Sequence, residues 1–451
     1  MKLALIFLAL IALVAVGLPF SVAGDNSLTG AVQSFLTYGL TATGALLGLL
    51  TVFLSRSVAD ELVHRQLFLL VSKPVARWQY VVGKWLGITL LDATFLLCAG
   101  ATMYGMVYYI KATHPPIDER YDEAELQNEV LVARHALQCK LPDFTRPAEA
   151  EWQRNLEDGL YENVPDVDEA EVKRRLAGKY ETRWRFVGPQ ETRVFEFENV
   201  LCDRSPGKRL QIRYKTDVTN YPPDEVFRGF WRFGNAAKGT PVYQVPVRQA
   251  IGRYHTVQVP ANCVAADHTL TARFFNVNPY EGEPQYRNVM EFRKSAELSV
   301  LFVVGSFEGN LIRLLVLMQC KLMFLAAVAI LMTVVFSFPV ACLASFTIYI
   351  LAATRKFIAQ ALDMSSDDFS SMFTSVKEFF LHLIIHVYNG VHWIIPDFAR
   401  YDAIESFVNG HNVSLSWVLS GVLWLVLVKT VVVLGMAVLL FHRREVAEVS
   451  F

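Results

Sequence analysis

Six apolar runs, divided by one long polar stretch, most constrain what this chain can fold into. The runs cover residues 2–20, about 36–55, about 83–110, 310–337, 339–352 and about 415–441. A hydrocarbon core about 30 Å thick takes roughly 20 helical residues to cross, so 339–352 is short for a span. The chain is 53% hydrophobic and only 19% charged, which is rare for a soluble protein. These features predict a multi-span α-helical membrane protein, with six transmembrane helices if the first run is a span.

The first run has two interpretations. Residues 2–20 are long enough for an uncleaved span. The run can also be a signal peptide, with Lys2 as a charged start and Ser21-Val22-Ala23 as a small-residue cleavage site. Cleavage would leave the remaining topology unchanged. Residues 24–34 contain no Lys or Arg and are predicted to form a short polar loop on the outer face.

A basic segment, residues 56–87, lies between the second and third runs. Helical spacing of Val58, Leu62, Leu69 and Leu70 predicts a helix lying on the membrane surface. Pro74 ends that helix, because the residue before a proline is pushed out of the α region. We therefore expect a surface helix, a corner, and then the third span. The cations that place the segment on the cytoplasmic side are Arg56, Arg65, Lys73, Arg77 and Lys84.

The same segment resembles the cytoplasmic coupling segment of ABC-2 type transporter permeases, including those associated with multicopper-enzyme maturation and gliding motility. The resemblance is carried by Glu61, by residues 69–77 (LLVSKPVAR) and by Gly83, Lys84 and Gly87. A positive-inside bias alone explains the charges but not these spacings. The SFPVA corner at 337–341, residues 396–402 with Gly410, and the ending at 442–445 also look like this family.

The resemblance implies how the chain works. The family has six spans, which favours an uncleaved first run. A separate ABC ATPase subunit docks on residues 56–84, and the permease is a homodimer or pairs with a second permease. We expect Glu61 and Arg65 to enter the ATPase groove and Arg77 and Lys84 to anchor the corner at lipid headgroups. The residues assigned to ATPase coupling are Asp60, Glu61, Arg65, Lys73, Pro74, Arg77, Gly83 and Lys84.

ATP chemistry is expected in the partner. The chain has no G-x-x-x-x-G-K-[ST] phosphate loop, and residues 234–240 (GNAAKGT) lack its spacing. We therefore expect a transport subunit that is not an enzyme and binds no cofactor, with ATP and Mg bound by the partner. An intramembrane enzyme lacks support, since the spans show no nucleophile elbow or aspartate pair.

The polar stretch, residues 111–304, is predicted to be a large extracytoplasmic α+β domain. Helix formers and charge pairs predict a helical part over 119–184, with helices at 123–137, 148–160 and 168–184. Alternating runs over 185–304 predict an antiparallel β-sandwich. The predicted strands lie in 193–200, 209–218, 226–234, 253–261, 268–279 and 296–305.

Late strands of the sandwich, 256–279, look like those of carbohydrate-binding sandwiches. Five aromatic residues of the sandwich either form a sugar-stacking face or pack in the core, and both interpretations stay open. They are Phe227, Phe230, Trp231, Phe233 and Tyr254. The alternative function is therefore an envelope-anchored binding or structural protein whose sandwich holds a polysaccharide or a protein partner.

Polar residues within apolar runs are further candidates. Asp92 is costly at depth and should face protein or water; it either pairs with Lys429 or stays wet near the cytoplasmic end.

Gly39, Gly44 and Gly48 recur at near-helical spacing in the second run. This spacing either permits close approach of another helix or reflects the simple tolerance of glycine in membrane helices.

An outer amphipathic helix is predicted over 366–395. His382 and His386 lie one turn apart on it and His392 follows, as metal ligands or as solvated side chains. The three cysteines of the polar stretch, Cys139, Cys202 and Cys263, allow at most one disulfide among them.

Charge and topology complete the expectation. A net charge of −1 offers no case for nucleic-acid binding. Besides the ATPase and a second permease, the expected partners are membrane lipids. We expect a bacterial inner-membrane protein whose N and C termini are cytoplasmic and whose residues 111–304 lie outside.

Overall fold

The fold was analysed in a computed structural model of the chain. It describes residues 2–21, 27–63, 76–113, 123, 125–160, 168–205, 207–222, 225–277, 289–292, 298–368 and 396–443. Two compact units emerge: a helical unit of Met1–Ala133 with Gly305–Phe451, and a second unit of Arg134–Val304. The division falls later than residue 111, because Leu126 and Val130 of a π-helical turn, Leu126–Val130, are buried in the core of the helical unit.

Helices of the helical unit are α1 (Lys2–Ser21), α2 (Leu28–Leu54), α3 (Arg56–Val63), α4 (Arg77–Thr113), α5 (Phe307–Val335), α6 (Phe338–Asp368), α7 (Ile404–Val408) and α8 (Leu415–Arg443). Among the described residues, four helical segments are long and apolar enough to cross a membrane: Leu28–Glu61, Arg77–Thr113, Phe307–Val335 and Leu415–Arg443. The apolar helical stretches Leu5–Gly17 and Phe338–Thr354 are shorter.

Several predicted boundaries were wrong. The loop expected at 24–34 is helical from Leu28 onward, because the Ser27 hydroxyl accepts a hydrogen bond from the Gly30 amide (2.9 Å) and caps α2. Helix α6 continues to Asp368, beyond the predicted short run. Most of the predicted outer helix, residues 369–395, lies outside the described residues.

Helix α5 forms the centre of the helical unit. Its apolar window is 78% buried, against 28% for that of α8. The glycines of α2 face other helices of the unit: a Cβ on Gly39 would lie 3.2 Å from Met103 of α4, and one on Gly44 would lie 3.2 Å from Met318 of α5. A Cβ on Gly48 would lie 3.5 Å from Tyr349 of α6. The predicted close approach is confirmed at Gly39 and Gly44, whereas the distance at Gly48 is that of ordinary van der Waals contact.

The second unit contains one early strand, then two helices, and then the remaining strands of a β-sandwich. Helices α9 (Thr145–Glu157) and α10 (Glu169–Arg185) confirm the predictions at 148–160 and 168–184. The helix predicted at 123–137 was wrong over its second half, which is strand β1 (Val132–Gln138). The other strands are β2 (Phe186–Val187), β3 (Thr192–Phe197), β4 (Arg209–Lys215), β5 (Asp217–Val218), β6 (Val226–Phe233), β7 (Tyr243–Ala250), β8 (Tyr254–Pro260), β9 (Leu270–Asn276), β10 (Met290–Glu291) and β11 (Leu298–Ser306).

Two four-stranded sheets make the sandwich. Sheet A has the order β1-β11-β4-β8 and sheet B the order β3-β9-β6-β7; β2, β10 and β5 form a small third sheet. Inward-facing side chains of both sheets share one core, where the rings of Tyr214 on β4 and Trp231 on β6 lie 5.1 Å apart. The antiparallel sandwich predicted from alternation is therefore present.

Candidate functional site

The predicted surface helix, α3, continues almost directly from α2. Only Ser55 separates the two helices, and this residue is buried. Its hydroxyl donates to the Val52 carbonyl (2.7 Å) and accepts from the Thr333 hydroxyl of α5 (3.1 Å). The Arg56 guanidinium lies 5.6 Å from the Phe338 ring centroid of α6. The start of α3 is thus fixed against the central helices.

Glu61 joins α3 to α4. Its carboxylate accepts hydrogen bonds from the Tyr80 hydroxyl (2.8 Å) and the Lys84 ammonium (2.5 Å). Both partner side chains lie on one face of α4, four residues apart. The Glu61 and Lys84 side chains are each about a quarter exposed, so this ion pair is better shielded from solvent than a surface pair.

Arg77 joins the start of α4 to the end of α8. Its Nη1 donates to the carbonyl oxygens of His442 (2.7 Å) and Phe441 (3.4 Å). Carbonyls at a helix C-terminus have no intrahelical partner and carry partial negative charge, so a guanidinium there is stabilising. The Tyr80 ring stacks on Phe441, with centroids 5.6 Å apart and planes at 19°.

These contacts make one group of side chains at three helix ends. We call it the helix-end cluster: Glu61, Arg77, Tyr80, Lys84, Phe441 and the His442 carbonyl. Sequence reasoning selected Glu61, Arg77 and Lys84 but expected them to face an ATPase or lipid headgroups, whereas the structure bonds them to one another's helices. It missed Tyr80, although the 77, 80, 84 spacing puts all three on one helix face.

The other predicted coupling residues are not part of this cluster. Asp60 is exposed and pairs with Arg56 at 3.3 Å. A Cβ on Gly83 or on Gly87 would meet no heavy atom within 4 Å in the described part of the chain, so packing does not require either glycine. Arg65, Lys73 and Pro74 lie outside the described residues.

Asp92 has a different partner from the predicted Lys429. The Thr51 hydroxyl of α2 donates to Asp92 Oδ2 at 2.8 Å, and Asp92 is fully buried, so the expectation that it stays wet was also wrong. The other carboxylate oxygen, Oδ1, has no hydrogen-bond partner among the described residues. Nearby, Gln319 of α5 donates to the Thr89 carbonyl (2.9 Å). Polar contacts therefore connect α4 to both α2 and α5.

Metal ligation finds no support in the described part of the chain, which contains no group of three or more His, Cys, Asp or Glu side chains placed to hold an ion. His382, His386 and His392 lie outside that part. Of the two interpretations of the sandwich aromatics, core packing is confirmed for Phe227, Trp231 and Phe233, which are buried. Phe230 lies on the opposite face of sheet B, and Tyr254 belongs to sheet A.

The fold and the cluster define a class: a membrane protein that combines long apolar helices with a separate unit containing an antiparallel β-sandwich. No family model, curated protein or solved structure matches the chain.

Proposed function

We propose that this chain is the permease subunit of an ABC-2 type transporter, an exporter driven by a separate ATPase that docks on residues 56–84. The helix-end cluster is the observation that supports this proposal best. Through Glu61, a movement of α3 reaches α4; through Arg77 and Tyr80, it reaches α8. Both α4 and α8 are long enough to cross a membrane.

Mechanically, the cluster gives α3 the properties of a lever. Rigid elements that share hydrogen bonds and packed rings move as one body, and small displacements at one end produce rigid-body shifts at the other. Asp60 is exposed beside Glu61, on the part of α3 that the transporter reading assigns to the ATPase. ATP-driven closure of the partner would then displace α3 and, with it, two spans.

The test compares two lysines of the same helix in the full chain, reconstituted with its co-purifying ATPase. Lys84 pairs with Glu61, while Lys111, near the other end of α4, pairs with Glu123 at 3.0 Å. We expect Lys84→Gln to reduce ATP hydrolysis coupled to the permease by severalfold, and Lys111→Gln to leave it near wild type. Equal activities of the two variants would contradict the proposal, as would the absence of any co-purifying ATPase.

A further inference from the structure

The solvent face of sheet B carries a regular pattern of side chains. Successive residues of a strand point to opposite faces, and the odd-numbered positions 227–233 of β6 are all buried. The even-numbered residues Arg228, Phe230 and Arg232 therefore lie on the other face. Neighbouring strands place like residues beside them: Arg273 is opposite Arg232, Arg248 is opposite Arg228, and Phe275 is opposite Phe230.

These residues form three parallel rows across the sheet: one arginine row, one phenylalanine row and a second arginine row. We call this surface the arginine–phenylalanine face, made of Arg228, Phe230, Arg232, Arg248, Arg273 and Phe275. Residues on one face of a strand repeat every two positions, so neighbouring rows are about 7 Å apart and the two arginine rows about 13 Å apart.

Like charges directly opposite each other in a sheet are destabilising. This face keeps two such pairs. Arg248 and Arg273 are exposed and have no acidic partner within the described ranges. Arg232 donates from Nε to the Gln244 side-chain oxygen (3.0 Å), and its guanidinium lies 5.1 Å from the Phe230 ring centroid, so it too lacks a carboxylate there. An anionic ligand bound to Arg232 and Arg273 would relieve the repulsion within that pair.

Between the arginine rows lies a flat apolar platform. The rings of Phe230 and Phe275 stack with centroids 4.7 Å apart and planes at 20°, and both are half-buried. Pro246 extends the row on the side of β7, and Thr192 extends it on the side of β3. Lipid-surface binding takes apolar side chains that insert among the headgroups, whereas these rings lie against each other within a β-sheet. A platform of this kind suits a ligand with flat apolar rings.

The row pattern continues towards a cleft. Thr192 and Val194 of β3, opposite Phe275 and Arg273, also line a cleft with Lys140, Asp143 and Glu196. Because carboxylates and cations both line this cleft, it adds nothing to the recognition of an anion, and the contacts that matter are those of the sheet itself. A compact ion would not need the apolar platform.

We propose that the arginine–phenylalanine face binds an acidic polysaccharide, with carboxylates on the arginine rows and a sugar ring over the phenylalanine pair. Arginine binds carboxylates through paired N–H donors, and carboxylates recurring along a glycan flank rings whose C–H faces are apolar. The inference needs the second unit to lie outside the cell, as the topology above proposes, but it does not depend on an ATPase.

Binding is tested with the full chain in zwitterionic-lipid nanodiscs and fluorescent polygalacturonate as the probe, measured by anisotropy at fixed salt. We expect Arg248→Gln/Arg273→Gln to weaken binding about tenfold or more, because two charge-assisted contacts are lost. Phe275→Leu should weaken it severalfold with the charge intact. The control is Arg209→Gln/Arg213→Gln on sheet A, which removes the same charge and should bind like wild type.

Three outcomes would overturn the inference. The wild-type chain fails to bind polygalacturonate, or binds neutral dextran equally well. The control pair weakens binding as much as the sheet B pair, which would show attraction by overall charge alone. Polyglutamate or phosphatidylglycerol vesicles bind more tightly than polygalacturonate and are insensitive to Phe275→Leu, which would assign the face to a peptide or a lipid surface. None of these results bears on ATP hydrolysis, so they leave the permease proposal to its own test.

Discussion

At the scale of single residues, the most informative contacts are the hydrogen bonds of buried polar atoms. Asp92 is sealed among apolar side chains of the helical unit and is held by one hydroxyl, that of Thr51. The sequence identified the unusual carboxylate but not its partner, because a threonine forty-one positions earlier carries no signal of pairing. Such contacts depend on how α2 and α4 pack, which periodicity does not specify.

Thr51→Val is expected to destabilise the protein by about 1–3 kcal/mol, since it leaves a buried carboxylate oxygen without its donor. Thermal unfolding in detergent measures the effect. The matched control is Thr94→Val on α4, whose exposed hydroxyl only donates to the Leu90 carbonyl. A Tm for Thr51→Val equal to that of Thr94→Val would show that the Thr51–Asp92 contact contributes nothing.

Thiol chemistry gives a second prediction at this scale. Burial raises the pKa of the Cys263 thiol to about 12 and that of Cys139 to about 11. The raised pKa means that the folded state favours the neutral thiols. The contribution of these thiols to the free energy of unfolding is fully present below the unfolded pKa of about 8.5, and it is lost as the pH rises towards 12.

Alkylation with iodoacetamide at about pH 8.5, followed by mass spectrometry, should therefore modify Cys263 and Cys139 much more slowly in the native protein than after denaturation. Rapid native labelling of Cys263 at the denatured rate would contradict its burial.

At the scale of elements, alternation and turn residues predicted most long strands. Besides the two-residue strands β2 and β10, the strands β7 and β1 were missed, for different reasons. Strand β7 contains Pro246, which argues against a central strand, but β7 is the edge strand of sheet B, where a proline is tolerated. Strand β1 reads as a helix because VARHALQ is rich in helix formers; pairing with β11 overrides that propensity.

The end of β6 depends on a glycine. Gly234 has φ of 106°, and a Cβ there would lie 2.1 Å from the Pro241 carbonyl oxygen. Gly234→Ala is expected to destabilise the sandwich by roughly 2 kcal/mol or more, because steric overlap of the new Cβ adds to the strain of a positive φ.

Gly239→Ala is the matched control, since its φ of 73° is also positive but a Cβ would meet no atom within 4 Å in the described structure. It should cost about 1 kcal/mol. Urea unfolding followed by tryptophan fluorescence compares them, and equal midpoints would refute the steric argument.

At the scale of the whole molecule, the proposed topology puts α3 inside the cell and the second unit outside. Asp60 and Arg174 are both exposed, so Asp60→Cys and Arg174→Cys provide probes that barely disturb packing. A membrane-impermeant maleimide added to intact spheroplasts should label Arg174→Cys and spare Asp60→Cys until the membrane is permeabilised. Labelling of both positions from the same side would contradict the proposed alternation and remove any route from the segment to an ATPase.

The helix-end cluster also bears on how the protein is made. Arg77 meets carbonyl oxygens 364 and 365 residues further along the chain. During synthesis, Arg77 therefore lacks these two acceptors until α8 has been translated and inserted. A product truncated before α8 leaves this guanidinium without them, so the junction of α4 and α8 can form only late in biogenesis.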